Sequence, residues 1–399
     1  MLNKVQRSTK RLLKWFDKNG TKGYDPYDVK GYNSYTLKLW QDFKLLSWHQ
    51  IISRLFLLDF ADTYLPWLTR KVLMVEKKDH ATVHGLLLSS FCNLYETDKD
   101  DHYLEKAKKH AQWLIDNQIK TKEYTSWGTP FNWKSGEKIF GPDTSLSVVN
   151  AWCGEGFHNI YNITKDEVYL KTLESIAKNI IEEIGFVRLN EEEICFSYSS
   201  EKKDFILNAN LFAAEFIMRT GKLLGKTEWI DLANQSTSYV LRNIKPDGNL
   251  DYYGKEQNLP VENDIYHSGY EIRMLYRLAE LSQREEVKAA ANRYFSYFVN
   301  TYFDENKISV RFKKTRKLPI DVTGCAEAIT TLSLHAYPEM GEKELNSLIG
   351  FTSDKFQAKK GYYYYRILKT GFLIKTPYVR WGQAWMLYGL STYLKEKSR

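Results

Sequence analysis

The sequence predicts an all-α protein that folds as a closed (α/α)6 toroid, a ring of six helical hairpins. One pattern recurs from near residue 80 onward: a helix opening with small or polar residues, a second amphipathic helix, and an aromatic stretch. The copies begin at about His80, Asp143, Ile206, Ile265, Asp321 and Pro377. A repeat of this size is typical of arrays of helical hairpins, in which neighbouring units bury each other's apolar faces.

The two helices of each copy differ in composition. The first is rich in Ala, Gly, Ser, Leu and Phe around much of its circumference, which predicts a buried inner helix. The second carries apolar residues at three- and four-residue spacing with Lys and Glu between them, as in Tyr103, Ala107, Ala111 and Leu114. This pattern predicts an outer helix with one buried face and one exposed face.

The two ends of the chain are predicted to close the ring. The last copy, at 377–395, has a first helix but no second, and residues 4–18 form a basic amphipathic helix of the outer type. An open array would leave two apolar ends in need of polar caps, whereas pairing these two helices leaves none. Residues 44–76 should add a further helix. With no linker-like stretch, we expect a single domain over 1–399, with the 19–43 loop folded over the ring mouth.

Composition narrows the class of protein. Hydrophobic residues make up 43% of the chain, yet no apolar run approaches the ~20 residues that span a bilayer, and the N-terminus lacks signal-peptide features. We therefore expect a cytoplasmic protein, with the inner membrane surface as an alternative location. No CxxC or HxxxH pair indicates zinc, so we expect no metal and no cofactor. The net charge of +8 suits an acidic substrate, an anionic membrane or simple solubility, and no nucleic-acid-binding module is visible.

Ring topology predicts where a site lies. All first helices run in the same direction, so the residues at their starts meet at one rim. Polar groups stand at these starts: His84, Asp143, Asn208, Asn210, Asp264, His267, Asp321 and Arg380. Asp143, Asp321 and Asn208 are also good N-cap residues, so helix capping is an alternative role for each.

The connections on the same rim are rich in aromatic residues. Trp127, Tyr252 and Trp381 offer flat faces that can stack on sugar rings. The alternative is that such segments form short β-hairpins that pack on themselves. The loop GYDPYDVKGYNSY at 23–35 could bring Asp25 and Tyr27 to the ring mouth, although a turn built on Pro26 also explains it.

One motif is difficult to explain as capping alone. In NDIYHSGYE, His267 and Tyr270 lie about one turn inside the helix and share a face at i, i+3 spacing. Asp264 could orient His267 and select its tautomer, as an acid/base pair requires. The motif predicts a proton-transfer site.

Several segments together carry a resemblance to a known family. They are GYDPYD near the N-terminus, NANLFAAEF at 208–216, KPDGNLDYYG at 245–254, DIYHSGYEI at 264–272 and DVTGCAEAI at 321–329. With these segments the chain resembles the VpsJ-type polysaccharide-biosynthesis proteins, within the wider superfamily of α/α toroids that includes glycoside hydrolases, uronate lyases, C5-epimerases and terpenoid cyclases. The resemblance implies a role in making or tailoring a bacterial surface polysaccharide, with a polysaccharide or lipid-linked oligosaccharide as partner.

Two kinds of glycan chemistry fit these residues. In a lyase or epimerase, Asn208, Asn210 and Arg380 would hold a uronate carboxylate while His267 or Tyr270 moves the neighbouring proton. In a glycoside hydrolase, two carboxyl groups would act as acid and base, from Asp25, Asp143, Asp264 and Asp321. The positive charge and the His-x-x-Tyr pair slightly favour the first.

A hypothesis from another class is a glycan-binding or scaffold component without catalysis, in a membrane-associated assembly complex. The basic N-terminal helix, with Leu12, Leu13, Trp15 and Phe16, could lie on an anionic membrane. Its alternative role is the missing outer helix of the ring. The sequence carries no signal for an oligomeric state.

Overall fold

The computed structural model describes residues 1–135, 138–201, 203–304, 306, 308–336 and 339–399. The chain begins with helix α1, Leu2–Asn19. Four short helices follow before the repeats: α2 (Ser34–Leu39), α3 (Trp48–Arg54), α4 (Asp62–Tyr64) and α5 (Pro66–Leu73). A π-helical stretch, Leu55–Ala61, joins α3 to α4, so the further helix expected within 44–76 runs continuously over 48–64 and is separated from α5 at Leu65.

The repeats form two concentric rings of helices. The inner ring consists of α6 (Ala81–Asp98), α8 (Ser147–Thr164), α10 (Leu207–Leu224), α12 (Ile265–Ser282), α14 (Val322–His335) and α16 (Trp385–Ser398). The outer ring consists of α1, α7 (Asp101–Asp116), α9 (Glu167–Lys178), α11 (Thr227–Asn243), α13 (Glu285–Tyr302) and α15 (Glu342–Phe356). Inner helices are buried on nearly all sides, and outer helices bury only the face toward the ring, as their composition predicted.

The ring is closed. Each inner helix contacts the next, and α16 contacts both α14 and α6. Helix α1 packs on α16, with Val5 and Leu12 fully buried, and its Ser8 hydroxyl donates a hydrogen bond to Gln357 Oε1 over 2.9 Å. The predicted (α/α)6 toroid is therefore confirmed.

The closure decides between the two roles considered for the N-terminal helix. Leu12, Leu13 and Phe16 are buried against the ring, and Trp15 is partly buried. The helix is the missing outer helix, and its apolar face does not lie on a membrane.

Short antiparallel strands lie in connections from outer to inner helices. They are β1 (Trp133–Ser135) with β2 (Lys138–Phe140), β3 (Phe186–Arg188) with β4 (Ile194–Phe196), and β5 (Ile320–Asp321) with β6 (Arg366–Ile367) and β7 (Leu373–Ile374). In the last sheet, β6 is central, and Asp321 pairs with Arg366. These strands carry aromatic and ionic side chains to the rim where the inner helices begin.

A buried layer of charged side chains fills the ring axis nearer the other end of the inner helices. Arg277 of α12 holds Glu155 of α8 through two hydrogen bonds of 2.5 and 2.7 Å, and Arg219 of α10 donates to the same carboxylate over 2.9 Å. Burial alone would raise the pKa of Glu155, but the two guanidinium groups outweigh it and hold that pKa well below its usual range. The fully buried Arg273–Glu327 pair adds to this layer.

Among the described residues, no helix combines the length and the apolar character that crossing a bilayer would require. The four cysteines are buried and free.

Candidate active site

A continuous series of aromatic rings in mutual contact lies at the start of the inner helices, and we call this group of residues the aromatic basin. Its members are Tyr27, Trp40, Trp133, Tyr252, Tyr266, His267 and Trp381. Tyr27 and Tyr266 each contact Trp381 with ring centroids 5.8 Å apart, which joins the N-terminal loop to α12. The wall therefore combines residues from distant parts of the chain.

The tyrosines of the basin remain protonated hydrogen-bond donors. Tyr252 and Tyr266 keep part of their surface accessible, yet burial raises the pKa of each well above its usual value. The carboxylates of Asp264 and Asp321 add to the effect on Tyr266. Both tyrosines are thus partly exposed side chains that protein surrounds closely, and each can donate a hydrogen bond to a ligand.

Tyr270 lies in the floor beneath these rings. It stacks on Trp385 with centroids 5.3 Å apart and contacts Trp152 and Phe212 at 5.7 and 5.4 Å. Burial raises the pKa of its hydroxyl well above the ordinary value. Tyr270 is therefore poorly suited to accept a proton, which leaves His267 as the better of the two proposed proton carriers.

Asp264 and His267 form a dyad at the start of α12. One Asp264 oxygen caps the helix by accepting from the His267 backbone N–H over 3.0 Å, and the His267 Nδ1–H points to the carboxylate over 2.9 Å. The carboxylate selects the tautomer in which Nε2 carries the lone pair. The imidazole stays about one-fifth exposed, between Tyr252 and Tyr266. This is the geometry of a positioned general base.

Two Asp–Arg pairs complete the site. Asp25 holds Arg380 by two hydrogen bonds of 2.6 and 2.9 Å, and the Arg380 guanidinium lies 4.7 Å from the centre of the Trp381 ring. Asp321 caps α14 through Gly324 N–H and accepts from Arg366 Nη2 over 3.0 Å. Asp321 therefore caps α14 with one oxygen and holds Arg366 at the site with the other.

Some donors at this rim lack a protein acceptor among the described residues. They are the side-chain N–H groups of Arg366 (Nε), Trp381 (Nε1) and Asn208 (Nδ2), all buried. Asn208 lies in the first turn of α10, where Ile206 is the N-cap, so Asn208 does not cap the helix. Unsatisfied buried donors are costly unless a ligand or water accepts from them, so they suit a ligand rich in oxygen acceptors.

The N-terminal loop is held against this rim by several contacts. Asn132 Nδ2 donates to Gly31 O over 3.0 Å, and Gly23 pairs with Lys78 in an antiparallel bridge. The Asn132 carbonyl leaves no room for a Cβ at Gly31, so only glycine permits this approach. A cavity of about 500 Å³, lined by Asp25, Arg380 and His80, adjoins the loop.

Four residues proposed from the sequence lie elsewhere. Asp143 is exposed in a turn, because α8 begins only at Ser147. Asn210 turns toward the outer ring, where its Oδ1 accepts from Phe196 N–H and Ser236 Oγ over 2.7 Å each. Neither residue contributes to the basin.

Trp127 and His84 are packing residues. Trp127 is buried between helices and donates from Nε1 to Leu114 O over 3.0 Å. His84 stacks on Trp113 at 3.6 Å and forms a 3.2 Å contact with Asp79. His84 lies on the side of α6 that faces α7, whereas Trp127 belongs to the connection from α7 to α8 and packs against the end of α7.

The sequence analysis missed Tyr266 and Arg366 as site residues. Tyr266 stands beside His267 in the motif DIYHSGYE, and Arg366 follows the aromatic run GYYYY at 361–365. The only cue was adjacency, since the face that each residue presents depends on helix and strand orientation. Lys30 was also missed: its ammonium lies 4.9 Å from the centre of the Tyr27 ring.

The described residues include no group of three or more His, Cys, Asp or Glu side chains arranged to hold a metal ion. The polar groups that the structure places at the basin are the Asp264–His267 dyad, the Asp–Arg pairs and the tyrosine hydroxyl groups.

Comparison with known sequences gives one family match. Residues 67–263, just under half of the chain, match the model of Glycosyl Hydrolase Family 88. The matched range includes Trp133 and Tyr252 but none of the charged residues of the basin, from Asp25 to Arg380. No curated protein sequence matches the chain.

Solved structures match over much more of the chain. A sugar epimerase from a ruminal bacterium aligns over 100% of this chain and 99% of its own, with a TM-score of 0.67 and 14% identity. Cellobiose 2-epimerase from Bacillus thermoamylovorans covers 80% of this chain and 88% of its own, with a TM-score of 0.63 and 12% identity. An unsaturated glucuronyl hydrolase specific for heparin covers 80% and 87%, with a TM-score of 0.54 and 15% identity. At 15% identity or less, these similarities show that the chain shares the (α/α)6 toroid fold with these enzymes.

Proposed function

We propose that the aromatic basin binds a sugar unit of a glycan and that His267 moves a proton on one of its carbons, in epimerase- or lyase-type chemistry. The observation that carries the proposal is the Asp264–His267 dyad, whose imidazole is fixed at Nδ1 and accessible between two tyrosines. Stacking surfaces and acceptor-seeking N–H groups around it suit a polyhydroxylated ring.

The proposed step is removal of a proton from the carbon next to a carbonyl or carboxylate group. His267 Nε2 accepts the proton, and the electron pair moves onto the adjacent oxygen to give an enolate or enediolate. Arg366 would stabilise that oxygen, because its Nε has no acceptor among the described residues, whereas Asp25 occupies Nε and Nη2 of Arg380. Return of a proton to the opposite face gives an epimer, whereas departure of the substituent on the next carbon gives an unsaturated product.

The second candidate is hydrolysis, favoured by the match to Glycosyl Hydrolase Family 88. It requires one carboxylic acid that donates a proton and one carboxylate partner. Asp25 and Asp321 are each held by an arginine, and Asp264 is held by His267. All three carboxylates already accept hydrogen bonds from these partners, so this arrangement favours proton transfer by His267 over acid catalysis by an aspartate.

The resemblance to VpsJ-type proteins extends the proposal to a biological role. We propose that the glycan is an acidic or lipid-linked intermediate of a bacterial surface polysaccharide. Residues 19–43 would cover the bound sugar, because this loop already contributes Asp25, Tyr27 and Trp40 to the rim. The chain would form one domain built around this site.

The test is solvent exchange into candidate sugars. Glucose, mannose, cellobiose and oligosaccharides of alginate and pectate would be incubated with the protein in deuterium oxide and analysed by mass spectrometry and NMR. Deuterium at a ring or chain carbon without cleavage indicates an epimerase, and an unsaturated product indicates a lyase. Addition of water without deuterium on carbon would replace the proposal with hydrolysis, and binding without reaction would replace it with a binding role.

Variants assign the reaction to the dyad. His267→Gln should lower the exchange rate by about 100-fold or more, the usual contribution of a general base, and Asp264→Asn should lower it less. His102→Gln is the matched control, because His102 is exposed at the start of α7 and distant in sequence from the basin residues. Full activity of His267→Gln would show that another group moves the proton.

A further inference from the structure

The largest concentration of exposed apolar side chains lies outside the basin, on residues 43–74. These residues contribute Phe43, Leu45, Trp48, Ile52, Leu55, Phe56, Phe60, Leu65, Trp67, Leu68, Val72 and Met74, each more than 40% exposed. Trp48, Phe56 and Trp67 are 69%, 66% and 63% exposed. Scattered apolar residues are normal on a protein surface, but a contiguous set of this size marks an interaction site.

The exposed apolar residues recur at helical spacing, so they form one side of a helix, and that side faces away from the protein. Trp48, Ile52, Leu55, Phe56 and Phe60 recur at three- and four-residue spacing along α3 and the π-helical stretch after it. The opposite side of this stretch carries Leu58, which is buried in a small cluster with Val29, Leu39 and Val75. The segment is thus an amphipathic helix that already uses one side for folding and presents a second apolar side to the outside.

The surface extends beyond this helix. Phe60 contacts Tyr64 with centroids 5.4 Å apart, and Tyr64 contacts Phe372, the exposed residue at the tip of the β6–β7 hairpin, at the same distance. Helix α5 adds Trp67 and Val72. We call residues 43–74 together with Phe372 the apolar surface.

The charges around the apolar surface are mostly positive. Residues 38–78 contain seven Lys and Arg against four Asp and Glu, and the stretches 43–58 and 63–75 contain no acidic residue. Arg70 is held in buried ion pairs with Asp28 and Asp62, and Arg54 lies 3.8 Å from the exposed Asp59. Lys44 and Lys71 are exposed among the apolar residues.

We propose that the apolar surface docks on a phospholipid bilayer that contains anionic lipids. Trp, Phe and Leu on one side of a helix, flanked by Lys, are the composition of interfacial helices that insert to the depth of the headgroups. The positive charges supply the complementary attraction to the lipid headgroups. The proposal does not depend on the reaction at the basin.

A second copy of this chain is the less favourable occupant. In a two-fold dimer the same surface would face itself. Residues 43–74 carry four Lys and Arg against two Asp, so a net positive charge would face the same net positive charge. A bilayer has no such conflict, because lysine side chains can extend to the phosphate layer.

The docked orientation would bring the mouth of the basin near the bilayer. Arg70 of α5 donates to Asp28 Oδ1 and to the Asp25 carbonyl over 2.7 Å each, and Trp40 stacks on Tyr27 at 5.8 Å. The apolar surface and the loop of the basin are therefore parts of one packed unit.

The experiment is flotation of the full-length protein with vesicles of phosphatidylcholine alone or mixed with an equal amount of phosphatidylglycerol. The protein should float with the mixed vesicles and much less with the neutral ones, and added salt should weaken binding. A triple variant, Trp48→Ser with Phe56→Ser and Trp67→Ser, should lose at least about tenfold in binding. The control, Val168→Ser with Leu259→Ser, removes two apolar residues of similar exposure elsewhere and should bind like the wild type.

Two further measurements keep the proposal falsifiable. Brominated lipids should quench tryptophan fluorescence in the wild type, and Trp48→Phe with Trp67→Phe should keep vesicle binding but lose most of that quenching. Sedimentation velocity without vesicles tests the alternative occupant. Equal flotation of the wild type and the triple variant would overturn the proposal. A wild type that is a dimer and does not bind vesicles, with a triple variant that is a monomer, would also overturn it.

Discussion

Asp25 and Arg380 connect the two ends of the chain at the aromatic basin. Arg380 Nε donates to Asp25 Oδ2 over 2.6 Å and Nη2 donates to Oδ1 over 2.9 Å, a two-point pair between residues 355 positions apart. The pair joins the N-terminal loop to the π-helical turn Val379–Ala384, which precedes α16. It therefore positions the loop and the last inner helix at once.

Asp25→Asn should lower the free energy of unfolding by about 3 kcal/mol, because removal of one partner leaves the Arg380 charge buried without compensation. Urea denaturation measures the change. Asp354→Asn is the control, since the Lys4–Asp354 pair is largely exposed and should contribute less than about 1 kcal/mol. Similar losses in the two variants would show that the Asp25–Arg380 pair is not a stabilising connection.

Leu12→Ala should destabilise the protein by about 3 kcal/mol, because it leaves a cavity where the fully buried Leu12 of α1 packs. Lys10→Ala, on the exposed side of the same helix, should change stability by less than about 0.5 kcal/mol. Calorimetry or urea denaturation compares the two. A small effect of Leu12→Ala would mean that α1 is not needed to close the ring.

Trp381→Ala should weaken binding of the active sugar about tenfold by removing one stacking surface, whereas Trp381→Phe should keep most of the affinity. Titration calorimetry with the sugar identified by the exchange assay measures both. Trp67→Ala provides the control, because Trp67 is exposed on the apolar surface and not in the basin. Unchanged affinity in Trp381→Ala would exclude this ring from the sugar site.

Glu271 should make stability depend on pH. Burial raises the pKa of Glu271 from 4.5 to about 8. Hydrogen bonds from Tyr294 and Asn263 favour the charged form and oppose this effect, but burial outweighs them. Between these two pH values the folded protein binds a proton that the unfolded chain has released. Stability is therefore highest at the acidic end and falls by about 1 kcal/mol per pH unit as pH rises toward 8.

Glu271→Gln should remove this dependence, because glutamine is neutral at every pH. As pH rises across that range, the urea midpoint of the wild type should fall, whereas that of the variant should stay nearly constant. The variant should therefore be the more stable of the two in alkaline buffer. Parallel pH profiles would show that Glu271 is already ionised in the folded protein.

The sequence by itself determined the ring, its closure and one hydrogen-bonded pair of the candidate site. Inner and outer helices differ in a periodic pattern that each copy repeats, and the unpaired helices at the two ends of the chain are complementary, so α16 and α1 could be matched before any coordinates. Asp264 and His267 could be paired because capping and i, i+3 spacing are local properties of one helix turn.

Only the tertiary structure decided which polar residues meet. An inner helix is buried on nearly all sides, so its pattern does not show which side faces the axis; Asn208 is left with an unpaired donor while Asn210 bonds to the outer ring. The pairs Asp25–Arg380 and Asp321–Arg366 depend on distant segments meeting at one rim. The outward apolar side of α3 likewise became visible only when folding had buried the other side, because sequence periodicity reports that a helix has an apolar face and not what covers it.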